Sequence, residues 1–241
     1  MMMEKVFKIF VDFDGTISKE DVGEAIFREF GNKEKVNSII TSLLKDEISA
    51  KDCWLMLCDS VGGIDISRLK NFIDKLEIDS TFKNLDKYCA ENKIELIVLS
   101  DGFDLYIKRI FERENLTHLS VYSNKLEIDE NNRFAPEFPY FDASCTTSAN
   151  CKRNHIISHS SDEDFTIFIG DGNSDKYTSQ FCDFIFAKDD LLKFCELERI
   201  TYFPYNNFDD VILKIDQLRS KKRLKKRHQA ELKRKEIYMT E

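Results

Sequence analysis

The 241-residue sequence contains no apolar run approaching the length needed to span a bilayer, and Met1-Met2-Met3-Glu4-Lys5 leads into no long hydrophobic segment before Asp12 interrupts it. Neither a spanning helix nor a secretory leader is expected, and the chain reads as a soluble cytoplasmic protein. Its seven cysteines are an odd number without a regular framework, which excludes a disulfide scaffold and predicts reduced thiols. Positive charge is scarce in the body of the chain. Of a formal net charge of −8, residues from Val211 onward carry eleven Lys/Arg against four Asp/Glu, leaving twenty-five against forty before them. A body so acidic argues against DNA as a ligand, although an acidic pocket that holds a metal still accepts a phosphate.

What is present is organised around Val6-Phe7-Lys8-Ile9-Phe10-Val11-Asp12-Phe13-Asp14-Gly15-Thr16. An apolar run with β-branched and aromatic residues ends in two carboxylates one residue apart and a glycine, the pattern of a buried strand opening into a tight loop. Two like charges so close call for a cation or a shared proton, and a hard divalent metal is the natural counterion. The bland alternative is a solvated Asp-rich turn. Two further apolar runs end in the same way, Ile94–Leu99 before Ser100-Asp101-Gly102 and Phe165–Ile169 before Gly170-Asp171-Gly172-Asn173-Ser174-Asp175.

Between the first two strands the period is helical: Asp21 caps a helix through Val22, Ile26, Phe27 and Phe30, and three more helices follow to about Leu76. No strand is evident there. Residues 123–145 read as a hairpin turning at Asp129-Glu130-Asn131-Asn132, a helix is expected near Lys152–Ser158, and short strands near 183–187 and 200–203. Strands alternating with helices predict an α/β fold with a parallel sheet, whose ligands bind at the carboxyl ends of the strands.

In order and spacing, Asp12-Phe13-Asp14-Gly15-Thr16, Ser100, Lys152 and Gly170–Asp175 resemble the four-motif signature of the haloacid dehalogenase superfamily. The resemblance covers residues about 5–205. It implies a Rossmann-like catalytic core at 1–17 and 81–210, a helical cap at 18–80 inserted after the first strand, and a basic C-terminal helix or tail at 211–241. It further implies hydrolysis of a phosphate monoester, with Asp12 as nucleophile and Asp14 as acid and base. Mg²⁺ would be held by the Asp12 carboxylate, the Asp14 carbonyl and Asp171, phosphate by Thr16, Ser100 with the backbone amides near it at Asp101, and Lys152, and Asp175 would act from behind. An acid at Asp14 favours phosphatase or phosphomutase chemistry over carbon–halogen cleavage. The helical cap, the residues after Ser100 and the hairpin are similar to the phosphoserine-phosphatase-like branch, and the tract from Phe138 to Lys152 to its methylthiopentenyl-phosphate phosphatases of methionine salvage. Phosphoserine phosphatases carry Glu where this chain has Asp21, which makes Asp21 a candidate selectivity residue and puts phosphoserine in doubt. The implied partner is a small phosphorylated metabolite.

Three other features admit two readings. Cys145, Cys151, His155 and His159 invite a zinc site, but Lys152 among them has a better role on phosphate. Trp54 reads as cap core rather than a substrate platform. Arg219–Lys235, with ten Lys/Arg and one Glu, reads as a solvated helix end rather than an RNA or anionic-membrane contact, because it lacks interleaved aromatics and a clear apolar face. On that reading, deletion of residues 219–241 would leave turnover nearly unchanged. A binding module that has lost catalysis would be expected to lack Asp12, Asp14, Lys152 or Asp171, and all four are present.

Overall fold

The first strand, β1 (Phe7–Asp12), is buried along nearly its whole length, with Ile9, Phe10 and Val11 at zero exposure. A strand apolar on both faces belongs inside a parallel sheet covered on both sides. In the computed structural model, which describes residues 5–145 and 147–240 (side chains to 237), the elements follow in the order α1 (Val22–Phe30), α2 (Lys33–Leu44), α3 (Ala50–Ser60), α4 (Ile66–Ile73), α5 (Phe82–Glu91), β2 (Glu95–Phe103), α6 (Asp104–Glu114), β3 (Ser120–Ile128), β4 (Phe134–Glu137), α7 (Lys152–Ser158), β5 (Phe165–Gly170), α8 (Asp175–Ser179), β6 (Phe184–Ala187), α9 (Asp189–Leu197), β7 (Phe203–Pro204), α10 (Phe208–Ser220) and α11 (His228–Thr240). Met1–Glu4, on which the reading of the N-terminus partly rested, lie outside the described residues. Among the described residues no helix is long and apolar enough to cross a membrane.

The chain forms two compact units. The first comprises residues 1–17, 78–99 and 152–241, and the second residues 18–77 and 100–151. The boundary anticipated at 80/81 falls at Glu77/Ile78. Residues 100–151, anticipated with the core, group with the helical segment, and the tail groups with the first unit.

In the first unit the sheet runs β2-β1-β5-β6-β7, all parallel. Register levels its carboxyl edge: Asp12 pairs with Leu99 and Val11 with Ile169, so the residues that follow these strands leave the sheet at one height. Phe7, Phe165, Phe184 and Phe203 form a row across β1, β5, β6 and β7, with successive ring centroids 5.4, 6.2 and 6.4 Å apart. Each pair adds to the sheet energy beyond its burial.

The second unit holds α1–α4, α6, the antiparallel pair β3–β4 and the last residues of β2. Each of its first four helices begins on a side chain that accepts a backbone N–H: Asp21 from Glu24 (2.7 Å), Asn32 from Lys35 (3.1 Å), Ser49 from Asp52 (3.1 Å) and Asp65 from Arg68 (3.0 Å). The anticipated hairpin is present, but its first strand starts earlier, at Ser120. Trp54 packs against Phe103 at 5.0 Å and Phe27 at 5.8 Å, in keeping with a core role. Its neighbours Leu55 and Met56 are exposed, because the buried face of α3 is Ala50, Cys53, Leu57 and Cys58.

The tail departs from expectation. Lys226 donates to the Asp164 carbonyl (2.6 Å), and Arg227 to the Ser179 and Gln180 carbonyls (2.9 and 2.6 Å). Arg234, 5% exposed, reaches the Phe181 carbonyl and pairs with Asp183 at 3.2 Å. Asp183 also accepts from the Thr166 backbone and hydroxyl on β5 (3.0 and 3.1 Å). The solvated helix end is therefore corrected: at least three of its cations are spent on carbonyls and a carboxylate of the first unit.

Candidate active site

β1 delivers Asp12 to the edge of the sheet, and the backbone then winds through Phe13–Ile17 with Gly15 at φ 78°. That glycine serves two needs. Its φ is in the left-handed region, and any Cβ there would collide with the Asp171 carboxylate. Gly170 makes the same close approach to the Asp175 carboxylate. Both glycines open a cradle that acidic side chains fill.

Lys152, the first residue of α7 and fully buried, bridges two of those acids. Its Nζ donates to Asp12 Oδ1 and to Asp175 Oδ1 (2.7 Å), and to Ser174 Oγ at 3.1 Å. Asp175 Oδ2 in turn accepts from the backbone N–H groups of Asp171 (3.1 Å) and Gly172 (3.2 Å), which wraps the Gly170–Asp175 loop around its own carboxylate. Asp171, half-buried, accepts the Thr16 hydroxyl on Oδ1 at 2.6 Å.

The electrostatics are those of a site short of positive charge. Burial, then Asp175, raises the Asp12 carboxyl well above its ordinary range, against the pull of Lys152. Burial and Asp175 likewise lift Asp171 to about 7, against the Thr16 hydrogen bond and Lys188. Burial alone would depress the Lys152 ammonium, but Asp12 and Asp175 outweigh it and hold the proton more firmly than in an ordinary lysine. Three carboxylates against one ammonium leave two negative charges, the balance a divalent cation meets. Carboxylate oxygens of Asp12, Asp171 and Asp175 all lie within 4.8 Å of one another, so the donor set suits a hard, oxygen-seeking ion.

Two of the residues anticipated on phosphate have other partners for their side chains. Thr16, anticipated on phosphate, is 1% exposed and gives its one hydroxyl proton to Asp171. Asp101, also anticipated on phosphate, accepts the backbone N–H groups of Ala149 (2.6 Å) and Asn150 (2.8 Å) on one oxygen and Trp54 Nε1 (3.3 Å) on the other. It fastens the chain ahead of Lys152 to the end of β2. Asn150 completes that latch by donating to the carbonyls of Ser100 (2.8 Å) and Tyr122 (2.9 Å). Ser100 is fully buried, with its hydroxyl oxygen accepting Gly102 N–H at 2.9 Å. Asp14 is half-buried in the wound turn, and Asp21 is engaged as the cap of α1.

The zinc reading finds no support. Among the described residues the acidic triad is the group of three or more metal-capable side chains that converge, and no Cys/His group does so. His159 Nδ1 is instead bonded to the His155 carbonyl (2.8 Å), while Cys145 contacts the hydroxyls of Thr147 and Ser148.

Comparison with known proteins agrees with this chemistry. Residues 7–194 match the family described as Putative Phosphatase. The chain belongs to that family. It is similar to a polyol phosphate phosphatase of Saccharomyces cerevisiae, 26% identical over 87% of this chain and 92% of the relative. It is also similar to a 2-hydroxy-3-keto-5-methylthiopentenyl-1-phosphate phosphatase of Bacillus mycoides, 29% identical over 88% and 96%. Among solved structures, a phosphoserine phosphatase captured as a phospho-aspartyl intermediate analogue superposes with a TM-score of 0.65 at 18% identity, covering 88% of this chain and 99% of that one. At that identity the likeness speaks for the fold. The fold and the phosphatase family anticipated from the motifs are those the comparisons return, and the protein is a phosphomonoester hydrolase.

Sequence reasoning missed Tyr205, whose buried hydroxyl donates to the Gly170 carbonyl at 3.3 Å beside Asp171. The available signal was a tyrosine right after a short strand of the parallel sheet, where side chains approach the carboxyl edge.

Proposed function

We propose that the protein hydrolyses a small-molecule phosphate monoester with Mg²⁺, through a phosphate ester of Asp12. The observation that carries this reading is the buried Lys152 bridge between Asp12 and Asp175 beside Asp171. Asp12 attacks phosphorus and the ester oxygen departs with the proton of Asp14. Asp14 then takes a proton from water, which attacks phosphorus and releases Asp12 and inorganic phosphate. Lys152 orients the Asp12 carboxylate and offsets charge on the transferring group. Asp12 and Asp171, with the Asp14 carbonyl, would hold Mg²⁺, which when bound supplies a Lewis acid for the phosphoryl oxygens. Asp175, with both carboxylate oxygens already accepting from Lys152 and two amides, orients rather than ligates.

Ser100 and Asp21 keep the roles the resemblance gives them, phosphate contact and selection of the leaving group. The substrate class is a phosphorylated polyol or sugar-like metabolite, as the names of both relatives suggest. The test is a hydrolysis screen of polyol phosphates, methylthiopentenyl-phosphate analogues and phosphoserine, with Mg²⁺ and with chelator. Asp12→Asn should abolish turnover, because an amide is neither a competent nucleophile nor a good hard-metal ligand. Activity of the variant above about a thousandth of wild type would remove Asp12 as nucleophile.

A further inference from the structure

β6 runs beside β5 with Ala187 paired to Gly170, so Lys188 leaves the carboxyl edge of the sheet next to Asp171. Two backbone bonds fasten the strand ends together there: Lys188 N–H to the Gly170 carbonyl at 3.3 Å, and Leu191 N–H to the Asp171 carbonyl at 2.7 Å. Asp189, at φ 47°, turns the chain between them into α9. Lys188 is half-buried, and its ammonium lies 5.5 Å from the centroid of the Tyr205 ring. Tyr205 is itself 5% exposed, and its hydroxyl ends 3.3 Å from the Gly170 carbonyl oxygen. Among the described residues the Lys188 ammonium forms no ion pair; Asp190, two positions on, is taken by Lys193 at 2.8 Å. A cation resting on an aromatic face, with no carboxylate to neutralise it, keeps its field for its surroundings.

The neighbouring acids carry an excess of negative charge. Asp12, Asp171 and Asp175 converge on one ammonium, and Lys152 has its three N–H donors committed to Asp12, Asp175 and Ser174. Between Lys188 and these acids lie a buried ring and two strand ends rather than water, so its field is screened less than that of a surface lysine. Asp171, raised chiefly by burial, is pulled down more by Lys188 than by Lys152.

We propose that Lys188 is a positioning residue that acts through its charge, weakening the site's hold on a divalent cation and strengthening its hold on a phosphoryl oxyanion without touching either. The proposal rests on the reading of Asp12 and Asp171 as metal ligands at a phosphate site. Its signature is the sign. Damage to the strand ends would weaken both ions together, whereas loss of one positive charge moves them in opposite directions.

The experiment is calorimetric titration of the full-length protein at low ionic strength and pH 8, above the value of about 7 for Asp171, with Mg²⁺ alone and then with orthophosphate at saturating Mg²⁺. Lys188→Gln should bind Mg²⁺ about threefold more tightly and orthophosphate about threefold more weakly than wild type, the size of one exposed charge pair. Lys188→Arg, which keeps a charge over the ring, should match wild type for both ions, and about 1 M salt should shrink both differences. An unchanged affinity of Lys188→Gln for either ion, a fall in both affinities, or a Lys188→Arg that behaves as Lys188→Gln would overturn the role of Lys188 and leave the metal site standing. Absence of Mg²⁺ or orthophosphate binding by wild type would overturn the reading of the site itself, and the role of Lys188 with it.

Discussion

Replacement of Arg234 by methionine tests whether the basic tail is an appendage or part of the fold. The Arg234 side chain is 6% exposed and its partner Asp183 is fully buried, so the pair has no solvent to fall back on. Removing one member of a buried ion pair typically costs about 3–5 kcal/mol, because the other charge is left uncompensated. Here the lower end applies: Asp183 keeps the Thr166 N–H and hydroxyl (3.0 and 3.1 Å) and the Arg227 N–H (3.3 Å), while methionine fills the vacated volume. For a chain of 241 residues, a loss of about 3 kcal/mol corresponds to a fall in Tm of about 6–12 °C. Urea unfolding and calorimetry read the loss directly, and kcat measured at 20 °C should stay within about twofold. Adding Asp183→Asn should recover more than half of the stability, since the amide oxygen still accepts the Thr166 N–H and no charge is stranded. A loss below about 1 kcal/mol for Arg234→Met would show that the tail is solvated after all.

Asp14→Asn should leave Mg²⁺ and phosphate binding near wild type while slowing hydrolysis by about a hundredfold or more, because the proton transfers are lost; weakened binding of inorganic phosphate would contradict it. Asp101→Ala should lower stability by about 2–3 kcal/mol by stranding the Ala149 and Asn150 N–H groups, with turnover falling through the misplaced chain before Lys152. If Asp101 were a phosphate ligand instead, phosphate affinity would fall at constant Tm. Asp171, raised from 3.8 to about 7 in the metal-free fold, contributes stability that is present below its unfolded value and is lost as pH rises through about 7. His155, lowered from 6.5 to about 4 by burial and then His159, works in the opposite sense, losing its contribution as pH falls. The Mg²⁺-loaded minus metal-free stability, followed from pH 5 to pH 8 in wild type and in Asp171→Asn, reports the Asp171 part as the difference between the two and should increase with pH; an equal pH dependence in both would remove Asp171 from the metal site.

The acids of the site were legible because their signal is local. Asp12, Asp171 and Asp175 each follow an apolar run that must be a strand, and a parallel sheet brings strand ends to one edge, where the register places them. Lys152 was legible through the resemblance, and the structure buries it between Asp12 and Asp175. The side-chain partners that stayed hidden in the sequence share a physical origin. Thr16 and Asp101 are residue types that bind a phosphate oxygen or a protein group equally well, and the choice depends on which partner lies within 3 Å. For Thr16 that partner is Asp171, 155 positions away, and for Asp101 it is the chain at 149–150. The compact units follow the same rule, since residues 100–151 group by packing with a segment from which the 78–99 stretch separates them in sequence.

The tail shows where a better reading lay. Its cations form no helical apolar face, and on that basis alone a solvated helix is the sound inference. The missing premise sits 51 residues upstream, in Asp183-Phe184-Ile185-Phe186-Ala187: an acid opening a strand whose central residues have zero exposure. A carboxylate driven to that position by its neighbours must find a cation or give up its charge. The described part of the body holds its other lysines and arginines largely at the surface, and the segment that follows the last strand is rich in lysine and arginine. Reading a cation-rich terminus together with an acid at the mouth of a buried strand predicts a closing strap, where reading either one alone predicts a solvated end.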